Sequence, residues 1–255
     1  MLGIDLNVDA GESQNHTQWQ HEQQLLPFVS SVNIACGGHA GNAYIMREMI
    51  RLAAENQVAI GAHPGLPDRV SFGRRVMPLT ADEIYLLMVE QLAIITGFVH
   101  ITGTQLAHVK PHGALYHMAN VDEEIAHAMA EAVRDFNKSL LIFTPYGSAL
   151  YRIAKQKGLR TVSEAFADRT YETNGELRAR HHADATITDI RRACQQVLSI
   201  INQRKVQAYD STWIPLEAET ICIHGDHTHA LELLRALNKT FSEQGLLVRP
   251  PRVLP

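Results

Sequence analysis

Residues 106–116 read Leu106-Ala107-His108-Val109-Lys110-Pro111-His112-Gly113-Ala114-Leu115-Tyr116. A short run with an apolar centre stops at a lysine, a proline, a histidine and a glycine. Such a run has the length of a strand buried on both faces, and the polar cluster after it marks the strand's C-terminal end. A lysine that ends a buried run is costly without a partner. Lys110 therefore meets either an acid of the protein, with Glu164 and Asp168 at hand, or an anionic ligand. His112 beside it is a candidate acid, base or phosphate donor.

The same grammar recurs along the chain. Gly3–Val8, Val32–Ala35, Val58–Ala62, Leu106–Lys110, Leu140–Thr144, Thr161–Ala165 and Thr220–His224 read as short strands. Almost all run into ionisable or glycine residues: Asp9 to Glu12, Cys36 to Asn42, His63 to Gly65, Asp168 and Arg169, and Gly225 and Asp226. Helical periodicity fills the intervals at Ala43–Asn56, Ala81–Thr102, Asp122–Asn137, Ser148–Lys157, Thr188–Arg204 and Thr228–Gln244. Thr80 with Glu83 is a capping box, and Gly158 and Gly245 are left-handed C-caps. Strict alternation predicts an α/β fold over residues 1–255 as a single domain, its parallel strands joined by right-handed crossovers. About seven units suffice to close a barrel or distorted (β/α) barrel, whose active site lies at the C-terminal ends of the strands. Pro64–Leu79 and Arg169–Thr186 break the rhythm and read as lids or binding loops.

With 255 residues, 45% hydrophobic and 20% charged, the composition is that of a globular chain. A net charge of -4 offers no basic field for a phosphate backbone, so nucleic acid is excluded as a partner and small molecules remain. The first ten residues carry two acids and no basic region, and no apolar run approaches the roughly 20 residues of a membrane helix, which points to the cytoplasm and away from a membrane. Cys36, Cys194 and Cys222 are scattered and without CxxC spacing, and read as buried, inert thiols rather than a disulfide or zinc framework.

Asp5, Asn7 and Asp9 alternate, so a strand aims all three to one side, either as an acid, base or cation site or as a solvated strand end. His39 and His63 follow neighbouring strands and, with Asp5 or Asp9, offer a divalent-metal set holding a water nucleophile; the alternative is a buried, hydrogen-bonded pair. His224 and Asp226 repeat the pattern at the last strand, while His227 and His229 read as surface. Tyr116, Tyr171 and Phe72 read as packing or loop anchors. No GxxxxGK[ST] or GxGxxG occurs. The proline-marked tail from Arg249 reads as dispensable.

Taken in order, DLNVDAGE (5–12), NIACGGHAGN (33–42), GAHPGLPD (61–68), FGRR (72–75), HVKPHGALY (108–116), EAFADRTY (164–171) and TICIHGD (220–226) resemble the 5-oxoprolinase family of lactam-utilisation proteins, the A component of that enzyme. The resemblance runs from Ile4 to about Arg249. It implies a distorted barrel of the glycoside hydrolase/deacetylase superfamily. It also implies ATP-dependent opening of 5-oxo-L-proline to L-glutamate, with the B and C components of 5-oxoprolinase as partners and ATP, held with Mg, as co-substrate. Matched motif by motif, Asp9, Lys110, His112, Glu164 and Asp168 become the expected catalytic set. Asp5, Asn7, Glu12, His39, His63, Arg169, His224 and Asp226 become the expected substrate-binding set, and Asp9, His39 and His63 the set for a metal. The rival readings are a metal-dependent deacetylase or amidase on the same fold and a non-catalytic lactam-binding component. The chain departs from the family's usual pattern at Ala10, Ser13, Gly38 and Asn42. Asn42 matters most, because it removes a carboxylate beside His39.

Overall fold

The computed structural model describes residues 3–225 and 229–251. Asp226, His227 and the last proline of the tail lie outside the described residues. Ten strands and eight α-helices are described: β1 Gly3–Ala10, α1 His16–Leu25, β2 Ser31–Ala35, α2 Ala43–Glu55, β3 Ala59–His63, α3 Ala81–Ile101, β4 Leu106–Val109, α4 Gly113–Val121, α5 Glu123–Asn137, β5 Leu141–Thr144, α6 Ala149–Gln156, β6 Thr161–Phe166, α7 Ile190–Gln203, β7 Lys205–Gln207, β8 Trp213–Pro215, β9 Thr220–Ile223, α8 Ala230–Glu243 and β10 Leu247–Val248.

Seven of the strands, β1 to β6 and β9, pair in parallel in chain order, and β9 returns to pair with β1. The sheet therefore closes into the (β/α) barrel that the alternation predicts. β7 and β8 form an antiparallel hairpin before β9, and β10 adds to the outside of β1. Arg249 donates its backbone N–H to the Ile4 carbonyl, so the tail is tied to the barrel at its start rather than dispensable from there.

Two-residue periodicity divides every barrel strand between two environments. Ile4, Leu6, Val8 and Ala10 of β1, Val32 and Ile34 of β2, Ile60 and Ala62 of β3, Val109, Ile142, Ala165, Ile221 and Ile223 all join the large apolar cluster between barrel and helices. Each fully buried Val, Leu or Ile in that layer contributes roughly 1.5–3 kcal/mol. The opposite parity points into the barrel, and there the filling is mostly polar: Asp5, Asn7, Ser31, Asn33, His108, Lys110, Glu164 and Thr220 are all buried. Phe143, Leu141 and Val162 supply an apolar patch inside, with Phe143 stacked on His108 at 4.0 Å between ring centroids. Gly61 leaves room for that imidazole, since a Cβ there would lie 2.0 Å from His108 Nε2.

The expected capping box at Thr80 and Glu83 is formed, and Gly158 and Gly245 adopt φ of +78° and +67° at their helix ends. α3 corrects one expectation from the sequence. Its 21 residues are long and apolar enough to cross a membrane by length and composition. In the barrel, Ile84, Met88, Leu92, Ile95 and Val99 turn one face of it into the core, beside α5. Apolar periodicity does not announce α1, whose HTQWQHEQQL is almost wholly polar, or α4, which starts directly after His112.

Candidate active site

The C-terminal ends of the strands open on a cavity of about 360 Å³, within the usual range for a small-molecule site. Asp9, His63 and Phe166, at the ends of β1, β3 and β6, and Lys110 and His224, just past β4 and β9, reach it with the inward parity of their strands, and Glu12, His112, Tyr116 and Arg169 join them from the following loops and α4. Both long irregular stretches border it, the first through Arg74 and the second through Arg169, Leu177, Arg178, Ala179 and Arg180.

Lys110 is the floor. Its ammonium lies 2.8 Å from Asp9 Oδ1 and 2.9 Å from Glu164 Oε1, and also donates to Asn7 Oδ1 at 3.3 Å and to Cys222 Sγ at 2.9 Å. Burial alone would favour the neutral amine, but the Asp9 and Glu164 carboxylates outweigh it and hold the Lys110 pKa well above its ordinary value. Asp9 shows the reciprocal effect: burial raises it, and the charges of His63 and Lys110 pull it well below the usual carboxylate range. Burial leaves Cys222 a thiol, its pKa pushed well up against the opposing pull of the Lys110 charge. Glu164 also accepts from the Tyr116 hydroxyl at 2.9 Å. Tyr116 is thus a site residue and more than a packing anchor.

Around Glu12 three histidines gather. Glu12 Oε1 lies 2.8 Å from His39 Nε2, 3.1 Å from His112 Nδ1 and 3.6 Å from His63 Nε2. His63 Nε2 and His112 Nδ1 are 3.0 Å apart, and the His39 and His112 rings stack at 3.7 Å. Four potential ligand atoms, one from each of these residues, lie within 4.8 Å of one another. Asp9, the acid that strand parity groups with His39 and His63, stands to one side: its Oδ1 takes Lys110 and the Asn33 amide, and its Oδ2 is 3.4 Å from His63 Nε2. Burial drives the His39 pKa down to about 4, so that ring is neutral at neutral pH. Gly73, at φ +62°, permits the close packing, since a Cβ there would sit 2.7 Å from His39 Cβ.

Asp168 accepts from His224, with Nδ1 at 2.9 Å and the backbone N at 3.2 Å, and so fixes the ring that faces the cavity over Phe166. Arg169 is tied by its guanidinium to the Ala185 and Arg178 carbonyls; burial and neighbouring Arg180 lower its pKa to about 10, which leaves it a cation. Asp5 and Asn7 lie deeper, below the cavity. Asp5 accepts from Ser30, Ser31 and Thr220 at the far end of β1, and Asn7 bridges Glu164, Thr220, Asn33 and Lys110. Cys36 is buried and Cys194 partly so.

Asn42 changes its meaning in the structure. Its side chain accepts from Ile45 N and caps α2, a role that aspartate fills equally well, so its replacement takes nothing from the histidine cluster. Gly38 is explained by crowding, as a Cβ would fall 2.5 Å from the Gly65 carbonyl and 2.8 Å from Gln91 Oε1. Glu22 is a functional residue that no motif in the sequence signals. Its buried carboxyl accepts the backbone N–H groups of Gly11 and Glu12 at 3.0 Å each and so fixes the turn that presents Glu12. Burial and nearby Glu12 push its pKa up to about 8.

Fold and site together define a (β/α)-barrel protein with its ionisable groups at the carboxyl mouth. The fold is shared, at 8% identity and a TM-score of 0.53, with the catalytic domain of a peptidoglycan N-acetylglucosamine deacetylase from Eubacterium rectale, over 99% of this chain and 90% of that one. A far nearer likeness is the crystal structure of a lactam utilization protein from Thermus thermophilus, 39% identical with a TM-score of 0.89, covering 97% of this chain and 99% of the other. The 5-oxoprolinase A component of Staphylococcus haemolyticus is 46% identical over 245 residues, 96% of this chain and 98% of that protein. The sequence profile of the LamB/YcsF family matches residues 4–254, and the chain belongs to that family.

Proposed function

We propose that this chain is the A component of an ATP-dependent 5-oxoprolinase, which opens 5-oxo-L-proline to L-glutamate together with the B and C components in the cytoplasm. The observation that carries this is the Lys110 ammonium, clamped between Asp9 and Glu164 at the floor of a cavity walled by arginines and by Phe166, Tyr116 and Leu177. A small lactam bearing a carboxylate fits those walls. Its ring methylenes meet the apolar side, and its carboxylate meets the cationic rim of Arg74, Arg169 and Arg180. Its carbonyl oxygen points at Lys110, which balances the negative charge that develops there.

The lactam amide is stable, and ATP, carried with Mg, activates the carbonyl by phosphorylation before water attacks. Asp9, held as a carboxylate, takes the proton from that water. The water oxygen bonds to the carbonyl carbon, the ring C–N bond breaks, and the departing nitrogen takes a proton from His224, which Asp168 orients. That leaves γ-glutamyl phosphate, and a second water, adding at its acyl carbon, displaces inorganic phosphate to give glutamate, with ADP as the product of the phosphorylation. The similarity to the Staphylococcus haemolyticus protein supports both the reaction and the dependence on partner components.

Glutamate release from 5-oxo-L-proline is the test, measured for this chain with and without the B and C components and with and without ATP. Release is expected only when all are present. Hydrolysis of the lactam or of a simple acetamide by this chain alone, without ATP, would overturn the proposal in favour of a metal-dependent amidase, the reading that the Glu12 and histidine cluster favours. Binding of the lactam with no contribution of this chain to turnover would leave a lactam-binding component.

A further inference from the structure

We infer that Glu12, His39, His63 and His112 form a binding site for one divalent transition-metal ion of the zinc type, separate from the magnesium that accompanies ATP. The site rests on the histidine cluster and is independent of which amide the cavity takes.

The hydrogen bonds fix the tautomers. His63 Nδ1 lies 2.7 Å from the Lys110 carbonyl, and His112 Nε2 lies 2.8 Å from the Phe72 carbonyl. A carbonyl only accepts, so each ring donates its N–H outward. In its neutral form, the form that binds a metal, each ring has no second N–H. The inner nitrogens, His63 Nε2 and His112 Nδ1, then face each other at 3.0 Å as two lone pairs, with the Glu12 carboxylate 3.1 Å from one and 3.6 Å from the other. Three electron-rich atoms turned to one point call for a cation between them. A proton satisfies a single contact, whereas a metal ion satisfies all of them.

The distances agree with a metal. Tetrahedral zinc, bound at about 2.0–2.1 Å, sets its ligand atoms roughly 3.3 Å apart. The separations among the Glu12, His63 and His112 atoms are 3.0, 3.1 and 3.6 Å, and with His39 all four lie within 4.8 Å of one another. The outer contacts agree too, because a metal-bound histidine characteristically donates its other N–H to a carbonyl or carboxylate, as His63 and His112 do. Three imidazoles with one carboxylate suit zinc and neighbouring first-row ions, while magnesium prefers an all-oxygen shell. Glu12, His63 and His112 border the cavity, and His39 lies behind them, 1% exposed, its Nε2–H donating to Glu12 Oε1 at 2.8 Å, a proton that it gives up when the ion binds.

The experiment is metal binding by the full chain, stripped with chelator and titrated calorimetrically with Zn²⁺ and separately with Mg²⁺, with zinc content measured after gel filtration. We expect one zinc per chain at micromolar affinity or tighter, no competition by millimolar Mg²⁺, and a zinc-dependent rise in melting temperature. His63→Ala and His112→Ala each weaken zinc binding at least 100-fold and abolish the thermal shift. Glu12→Gln, which keeps the shape of the side chain, weakens it too and serves where a histidine variant does not fold. Cobalt in place of zinc gives visible absorption bands that these variants lose. Zinc binding weaker than millimolar, equal binding of magnesium, or zinc retained undiminished by a folded variant, as it would be on surface histidines, overturns the site. None of these readouts needs lactam turnover, so the fate of the proposed reaction is decided separately.

Discussion

Single residues inside the barrel carry opposite electrostatic duties. Lys110 is both a wall of the cavity and the cation that makes burial of Asp9 and Glu164 tolerable, so its removal leaves two buried carboxylates without their shared cation. Breaking a buried ion pair by deleting one partner costs about 3–5 kcal/mol. We predict that Lys110→Ala loses turnover and also that much stability, read from urea unfolding; a variant as stable as the parent would contradict the geometry. Asp5 works in the other direction. Burial, only partly offset by the Ser30, Thr220 and Ser31 hydroxyls, raises its pKa from 3.8 to about 6, a displacement worth about 3 kcal/mol. A carboxyl with a raised folded-state pKa binds a proton in the folded chain that the unfolded chain has already lost. Its contribution is therefore full below about pH 3.8 and is lost as pH rises through about 6. Asp5→Asn should gain stability relative to the parent between about pH 4 and pH 7. Urea unfolding at several pH values checks this, and a difference that does not change with pH would show that Asp5 is not raised. Much of this is legible in the sequence, because Asp5, Asn7 and Asp9 alternate and Lys110 ends an apolar run. Depth is not, since parity says which side a residue faces and nothing of whether it reaches the mouth or stays at the floor.

At the scale of elements, the strand ends are legible and the short polar helices are not. β1 to β6 and β9 announce themselves by apolar centres bounded by glycine and ionisable residues, whereas α1 buries little besides Glu22 and Leu25 and has almost no apolar stripe to reveal it. Glu22 is therefore hidden, and with it the brace on Glu12. α2 tests the revised role of Asn42. Asn42→Ala should cost about 1 kcal/mol in thermal or urea unfolding through the lost cap, while Asn42→Asp should keep stability and zinc affinity. A large loss of metal affinity in either variant would return Asn42 to the site. β3 and β4 meet at Gly61 and His108, where a methyl group at Gly61 would collide with the imidazole. Gly61→Ala should cost about 1–3 kcal/mol in an otherwise unchanged chain and much less in a His108→Ala background, a coupling that a double-mutant cycle measures directly. Simple additivity would mean that β3 avoids the clash by moving.

Across the whole molecule, closure of seven parallel strands is what brings chain-distant groups together: Asp9, Lys110, Glu164 and His224 come from four strands and meet because all four end on one rim. The alternation of strands and helices foretells the barrel and its active rim. It does not foretell that Glu12 rather than Asp9 stands among His39, His63 and His112, because that grouping depends on how far the loops fold back over the mouth. In the proposed function, the chemistry of lactam opening belongs to this rim, and the need for ATP and partner components lies around it. The most direct test is glutamate release by the reconstituted three-component mixture with ATP and 5-oxo-L-proline, in which only this chain is changed, from Asp9 to asparagine, and is shown to remain folded. We expect the Asp9→Asn mixture to fall at least 100-fold below the parent mixture while still binding the lactam. Release at the parent rate from the Asp9→Asn mixture would contradict the assignment of Asp9 as the base.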